Sequence, residues 1–283
     1  MKYLIFGVNG MVGHMIASYL KEKGHTVAGF AKNVSPICNT YIGDALKQEE
    51  VKEAIESEEF DVVINCIGIL NSAVNNNMAT GIYLNSVFPH YLAEYTSKKH
   101  TKVIHISTDC VFEGTLGNYT EHSNTDATSH YGKSKALGEL NDNKNLTIRT
   151  SIVGPELKKN GIGLFHWFMS QKDTVKGYSY VIWSGVTTLQ LAKTIEILSK
   201  EDISGLYHLV NNTTISKYEL LQLFNTYCKN SATIIQEDTT FVCDKSLVNT
   251  RTDINLSLPS YEEMVKEMSI WIQTHAKIYE QYL

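Results

Sequence analysis

"KYLIFGVNGMVG", Lys2 to Gly13, decides how this 283-residue chain is read. A short apolar run stops at Gly7, and a helical pattern takes over from about Met11 to Lys23. Met11, Met15, Ile16, Tyr19 and Leu20 share one face of that helix, and Gly24 closes it. The run is too short for a signal peptide and breaks at glycines, so it reads as a buried strand. Gly7, Gly10 and Gly13 fall at the junction with the spacing G-x-x-G-x-x-G. One glycine permits a tight turn, one lets backbone approach a ligand, and one lets helix and strand pack closely. Free N–H groups at a helix start then face an anion such as a pyrophosphate. Gly7, Asn9, Gly10, Met11 and Val12 are therefore candidate dinucleotide-binding residues.

Working outward, the same alternation recurs. "HTVAGF", "DVVINCIG", "KVIHIS" and "LTIRTS" are short apolar runs, and helical spacing lies between them, as over Tyr83 to Lys98. Alternating strands and helices call for a parallel sheet covered on both faces. Right-handed crossovers make it a doubly wound α/β sheet of Rossmann type. The expected dinucleotide domain is 1–151 plus 188–208. The second is a smaller mixed lobe of 152–187 plus 209–283 that binds substrate, with one of its helices capped by Ser216. "NSAVNNNMATG", Asn71–Gly81, reads as a polar loop at the sheet edge where ligands bind.

Composition narrows the function. Apolar residues make up 43% and charged residues 19%, ordinary for a soluble globular protein. Net charge is -5 with no block of Lys or Arg, which argues against nucleic-acid or anionic-membrane partners. No run of about 18 apolar residues exists to span a membrane. Five scattered cysteines form no CxxC and no disulfide framework, which suits a reducing cytoplasm. The ten histidines form no HExxH-like pair, so nothing argues for a metal site.

Two features speak to chemistry. After the second strand come Ala31, Lys32 and Asn33, with no carboxylate to bind a ribose diol. Lys32 either meets the 2′-phosphate of NADP, favouring it over NAD, or is a solvated loop lysine. In "SHYGKSKALGE", Ser129–Glu139, Tyr131 and Lys135 are four residues apart. On a helix their Cβ atoms would lie about 5–6 Å apart on one face. An ammonium about 4 Å from the phenol would favour phenolate by about 4 kcal/mol before desolvation losses, at an effective dielectric of about 20. That would bring a group of ordinary pKa about 10 toward neutrality and make it a proton donor to a forming alkoxide. The alternative is two polar residues on a wet helix face. Upstream, Ser107, Thr108 and Asp109 end a buried strand, where hydroxyls either face the ligand crevice and bind a substrate carbonyl or cap the next turn.

Together "GVNGMVG", "DVVINCIG", "YLNSVFPHYLAE", "ISTDCVFEG", "YGKSKALGE" and "IRTSIVGP" resemble the extended short-chain dehydrogenase/reductases. Within these they resemble the dTDP-4-dehydrorhamnose reductase-like group of nucleotide-sugar reductases. The likeness covers about the first 155 residues, and "SGVTTL" and "GLYHLVN" extend it weakly. It implies a catalytic triad of Thr108, Tyr131 and Lys135, with Tyr131 protonating a keto oxygen as hydride arrives from a nicotinamide. Lys135 would lower the tyrosine pKa and bind the nicotinamide ribose. It also implies that Cys66, Ile67 and Gly68 pass the adenine ribose and that Asp44 contacts adenine. Asn85 would buttress the active-site backbone, and Ile152 and Val153 would lie beside the nicotinamide. Ser107, Thr108, Tyr131 and Trp183 are the substrate candidates. Dehydratases of this superfamily carry Thr-Asp-Glu where this chain has Thr108–Asp109–Cys110, so water elimination is not implied. "GYSYVIWSGVTTL" departs from the rhamnose enzymes, which leaves a UDP-linked 4-keto-6-deoxy-N-acetylhexosamine as an alternative to dTDP-4-dehydrorhamnose.

The remaining residues keep two readings each. His166, Trp167 and Phe168 wall a ligand pocket or form core. Trp183 and Thr187 cover a substrate or belong to the core. Arg149 in an apolar strand is a structural salt bridge or functional. Cys110 beside the triad is an inert thiol rather than a nucleophile, since no base is assigned to it. The expectation is a cytoplasmic NADP-dependent reductase of a 4-keto nucleotide sugar, serving polysaccharide precursor synthesis. Its rivals are a non-catalytic dinucleotide-binding regulatory subunit and a nucleotide-sugar epimerase. Two helices flanking the sheet offer a face for a homodimer.

Overall fold

A computed structural model describes residues 1–283 and gathers the apolar runs into a seven-stranded sheet. Its elements in chain order begin with β1 (Lys2–Phe6), α1 (Met11–Glu22), β2 (Thr26–Ala31), β3 (Asn39–Ile42), α2 (Gln48–Glu56) and β4 (Val62–Asn65). There follow α3 (Asn71–Asn76), α4 (Met78–Ile82), α5 (Phe88–Tyr95), β5 (Lys102–Ile106), α6 (His130–Leu137) and β6 (Leu146–Arg149). Across the sheet the order is Gly205–His208, β6, β5, β4, β1, β2, β3. The strands β1 to β6 pair in parallel.

The pattern follows from burial. Tyr3 to Phe6 and Val62 to Asn65 are buried at every position, so side chains on both faces meet protein rather than water. On one face Phe6 packs against Phe30 at 4.8 Å and Phe88 at 5.6 Å between ring centroids, beside Leu4, Val63 and Leu92. Each such side chain contributes about 1.5–3 kcal/mol through burial. The chain runs from β1 out to β3 and then crosses back to β4, so strand order reverses between β1 and β4. In such sheets that reversal opens a crevice at the carboxyl ends of the strands. Phe6, Phe30 and Asn65 are in register there, and Asn65 is level with His105.

Two compact units divide the chain. The first is Met1–Glu113, Ser123–Arg149 and Ala192–Tyr207, and the second is Gly114–His122, Thr150–Leu191 and His208–Leu283. This moves Gly114–His122 out of the expected first domain. The reason is hydrogen bonding: Tyr119 N–H donates to Ser246 O at 2.8 Å and Asp244 N–H to Gly114 O at 2.8 Å. Glu121 accepts from His208 N–H and from Thr250. Within the second unit, Phe165 meets Phe224 edge-on at 5.2 Å. Its helices Lys217–Cys228 and Tyr261–Thr274 each begin with a Ser-x-x-Glu capping box.

Two local expectations change. Asn71–Gly81 is not a loop: α3 buries Val74, and Asn77 starts α4 by accepting the Thr80 N–H at 3.1 Å. The helix expected over Tyr83 to Lys98 ends at Tyr95 and opens with a π-helical turn over Tyr83–Val87. No helix is long and apolar enough to cross a membrane.

Candidate active site

The glycine turn is built as its spacing requires. Gly7 has φ +79°, a left-handed conformation that a side chain would strain. A Cβ on Gly13 would lie 2.3 Å from Gly7 O, so only glycine lets α1 start this close to the strand. A Cβ on Gly7 would lie 3.0 Å from Ile67 and 3.3 Å from the backbone of Cys66, which places the segment after β4 across the crevice. Gly10 caps α1 with no side chain accepting its first N–H groups. Those donors remain available to a phosphate, as they must for a dinucleotide cradle. Asn9 stays in the turn through its own donor, Nδ2 to Asn33 O at 2.9 Å, and its amide oxygen is buried with no partner. The uncapped start of α1, with its N–H donors, is what fits a dinucleotide pyrophosphate.

Beyond β2, Lys32 is paired with Asp44 at 2.8 Å. The candidate phosphate cation and the candidate adenine contact are thus salt-bridged to each other. Partial burial works to raise Asp44, but Lys32 and the Leu46 N–H outweigh it and hold the carboxyl below its ordinary value. Ala31 closes β2 half-buried, and Gly68 is exposed.

Tyr131 and Lys135 do lie on one buried face of α6, whose start is capped by Ser129 accepting Gly132 N–H. Their coupling differs from the expectation. Lys135 Nζ donates to Ile106 O at 2.7 Å and lies 3.3 Å from His105 Nε2, at the end of β5. Burial pushes the Tyr131 phenol above its ordinary value, Cys110 and Asp109 add to this, and a hydrogen bond with Thr108 works the other way. The Lys135 nitrogen is drawn to a strand-end carbonyl instead of the phenol, so it does not lower Tyr131. Burial lowers Lys135 itself to about 8, against Glu139 and Cys66, which raise it.

The strand-end hydroxyls divide their roles. Thr108 meets Tyr131 and also caps the following turn, accepting Cys110 N–H at 3.1 Å and donating to Asp109 Oδ1 at 3.1 Å. Ser107, expected to face substrate, donates instead to Glu139 Oε1 at 2.7 Å. It is drawn there because Glu139 is the carboxylate that neutralises buried Arg149. Arg149 is thereby a structural ion pair. The Cys66 thiol is pushed upward by burial and stays neutral.

Asn85, fully buried in the π-helical turn, ties three pieces together. Its oxygen accepts Ile69 N–H at 2.8 Å, and its NH2 donates to Ile69 O at 2.9 Å and Ser134 Oγ at 3.0 Å. Sequence reasoning passed over Ser134, Asn65 and His105, which support the same region. Only their position at strand ends and on the Tyr131 helix marked them. Gly132 was also unmarked, though a Cβ there would lie 2.2 Å from Cys110 O.

The other candidates belong to the second unit. Ile152 and Val153 form a two-residue strand paired with Val186 and Thr187. Trp183, expected against substrate, is 3% exposed, packed on Tyr261 at 5.6 Å with Lys217 Nζ 4.9 Å from its ring. Pairing of Val181–Trp183 with strands on both sides turns it into core. Phe168 is core beside Phe224, His166 bonds Tyr282 Oη at 2.7 Å, and Trp167 is exposed.

Residues 1–241 match the family described as the RmlD substrate binding domain. The chain belongs to this family. Among relatives of this RmlD-family chain, the probable low-salt glycan biosynthesis reductase Agl14 of Haloferax volcanii is 26% identical, over 82% of each chain. The dTDP-4-dehydrorhamnose reductase of Salmonella typhimurium is 29% identical over 79% of this chain and 77% of its own. In structure, the dTDP-4-dehydrorhamnose reductase of Bacillus anthracis in complex with NADP superposes with TM-score 0.80 at 20% identity. That alignment covers 95% of the RmlD-family chain and 99% of the other, and it establishes the shared doubly wound fold.

Proposed function

We propose that this chain is an NADPH-dependent reductase of a 4-keto-6-deoxy nucleotide sugar, of dTDP-4-dehydrorhamnose or UDP-4-keto-6-deoxy-N-acetylhexosamine type, acting in cell-surface polysaccharide precursor synthesis. The observation that carries the reading is the placing of Tyr131 and Lys135 on one buried face of α6, with Thr108 just past the end of β5, in the same unit as the glycine cradle. The names of the relatives above support the substrate class, and the NADP bound by the Bacillus anthracis structure supports the cofactor.

Gly7, Asn9, Gly10, Met11 and Val12 hold the pyrophosphate, with Cys66, Ile67 and Gly68 across from them. Lys32 is the cation for a 2′-phosphate once it leaves Asp44. When bound, the dinucleotide supplies hydride chemistry. Thr108 orients the keto oxygen. Tyr131 keeps its proton at neutral pH because burial disfavours phenolate, and it gives that proton to the oxygen as the carbonyl becomes an alcohol. A phenolate left in this buried place is costly, and Lys135, one turn along α6, is the cation able to offset it. Ser134 and Asn85 hold α6 against the Ile69 backbone, so the phenol is aimed by a fixed helix.

Tyr131→Phe tests the assignment. NADPH oxidation with a 4-keto nucleotide sugar should fall by about 10²–10⁴, the usual contribution of a positioned proton donor. An unchanged rate would remove Tyr131 from the reaction, and dinucleotide binding with no turnover on any such sugar would overturn the reductase reading.

A further inference from the structure

Asn65 at the end of β4, His105 on β5 and Lys135 on α6 form one hydrogen-bonded chain, and none is more than 4% exposed. The chain has a direction. The Asn65 amide oxygen accepts Ile67 N–H at 3.1 Å, which turns its NH2 toward His105 Nδ1 at 3.0 Å. An amide nitrogen only donates, so Nδ1 must present its lone pair. Burial holds His105 well below its ordinary pKa, so the ring is neutral and its one proton is on Nε2. That proton faces Lys135 Nζ at 3.3 Å. An ammonium has no lone pair to accept it, whereas an amine does. The bond from Nζ to Ile106 O, 2.7 Å, suits either form.

We infer that His105, its tautomer set by Asn65, is a positioning residue that favours the uncharged amine of Lys135 and draws that form back against the end of β5. The inference rests on the reading of Lys135 as the cation that serves Tyr131. The other groups that titrate around Nζ are Cys66 after β4, Glu139 one turn further along the chain and Tyr131 one turn before. Glu139 is committed to Arg149, and burial keeps the Cys66 thiol and the Tyr131 phenol uncharged. Only Lys135 changes charge near neutrality, at about 8. Taking a proton from solvent removes the lone pair that receives His105, so Nζ is released from β5 as it becomes the cation a phenolate needs. Losing that proton restores the drawn-back state.

Asn65→Asp reverses the direction of the chain. One carboxylate oxygen still accepts Ile67 N–H, and the other draws the imidazole proton to Nδ1, so Nε2 turns its lone pair toward an ammonium. Lysine side-chain NMR on the full chain, with the Lys135 signal identified by its loss in Lys135→Met, reads the ionisation without substrate. Lys135 should titrate near 8 in the natural chain and at higher pH in Asn65→Asp, its acid constant at least about tenfold smaller. An unshifted titration overturns the inference. Imidazole-nitrogen NMR of the natural chain should place the His105 proton on Nε2. A proton on Nδ1 overturns the inference even if the variant fails to fold. A shifted Lys135 in an enzyme inactive on every keto sugar sinks the reductase reading and leaves this one standing. Turnover with an unshifted Lys135 does the reverse.

Discussion

Arg149 grips Glu139 with two nitrogens, Nε 2.8 Å from Oε1 and Nη2 2.5 Å from Oε2. The guanidinium is 2% exposed and lies 5.0 Å from the Phe112 ring centroid. Because Ser107 donates to the same Oε1, the pair joins the end of β6, the residue before Thr108 and the chain just past α6. It fixes three of the pieces that carry the proposed site.

Arg149→Met leaves the Glu139 carboxylate buried without its cation. Stability should fall by about 3–5 kcal/mol in urea unfolding. The double replacement Arg149→Met with Glu139→Leu removes both charges and should recover most of that loss. A single variant as stable as the parent would show that the pair does not hold this region.

Gly13→Ala and Gly10→Ala separate packing from chemistry in the cradle. The Gly13 Cβ would meet backbone at 2.3 Å, whereas the Gly10 Cβ would have only Gly7 O at 3.3 Å. The first should cost about 1–3 kcal/mol and abolish measurable NADPH binding by calorimetry. The second should fold normally with weaker binding. Equal stability for the two would contradict the close contact of α1 with the turn.

Lys32 is held by Asp44 across 2.8 Å. Asp44→Asn should free it and tighten NADPH binding, while Lys32→Ala should weaken NADPH by about tenfold and leave NADH unchanged, as one lost charge-assisted contact requires. Fluorescence titration with the two nucleotides checks both. Equal losses for NADPH and NADH would remove Lys32 from 2′-phosphate recognition.

His14 predicts the direction of acid sensitivity. Burial holds it at about 4, below its ordinary 6.5. The unfolded chain therefore takes up the proton first as pH falls, and stability is lost between about 6.5 and 4. Over that window this one group should remove about 3 kcal/mol. Urea midpoints measured through the window should fall more steeply for the parent than for His14→Gln.

The legible parts of this molecule are those whose causes lie close together in the chain. The glycine spacing, the buried runs and the Ser216 cap with Glu219 three residues on all depend on neighbours within a turn or a strand. Tyr131 and Lys135 share a helix face for the same reason. The direction of Lys135 was not legible, because its partners Ile106 and His105 come from a strand about thirty positions earlier. Trp183 looks identical in sequence whether it lines a pocket or fills a core. Long-range strand pairing makes that choice, as it also assigns Gly114–His122 to the second unit. The edge strand β3 escaped notice because none of its four residues is fully buried.

The π-helical turn at Tyr83–Val87 bears on how this chain can change. Such a turn is an α-helix carrying one surplus residue, and each residue rotates a helix by about 100°. Removing any single residue there would relax the backbone to ordinary winding while swinging the Asn85 amide away from Ile69 and Ser134. The locally favoured repair is thus globally harmful, and a deletion that restores ordinary winding should be among the least tolerated in this chain.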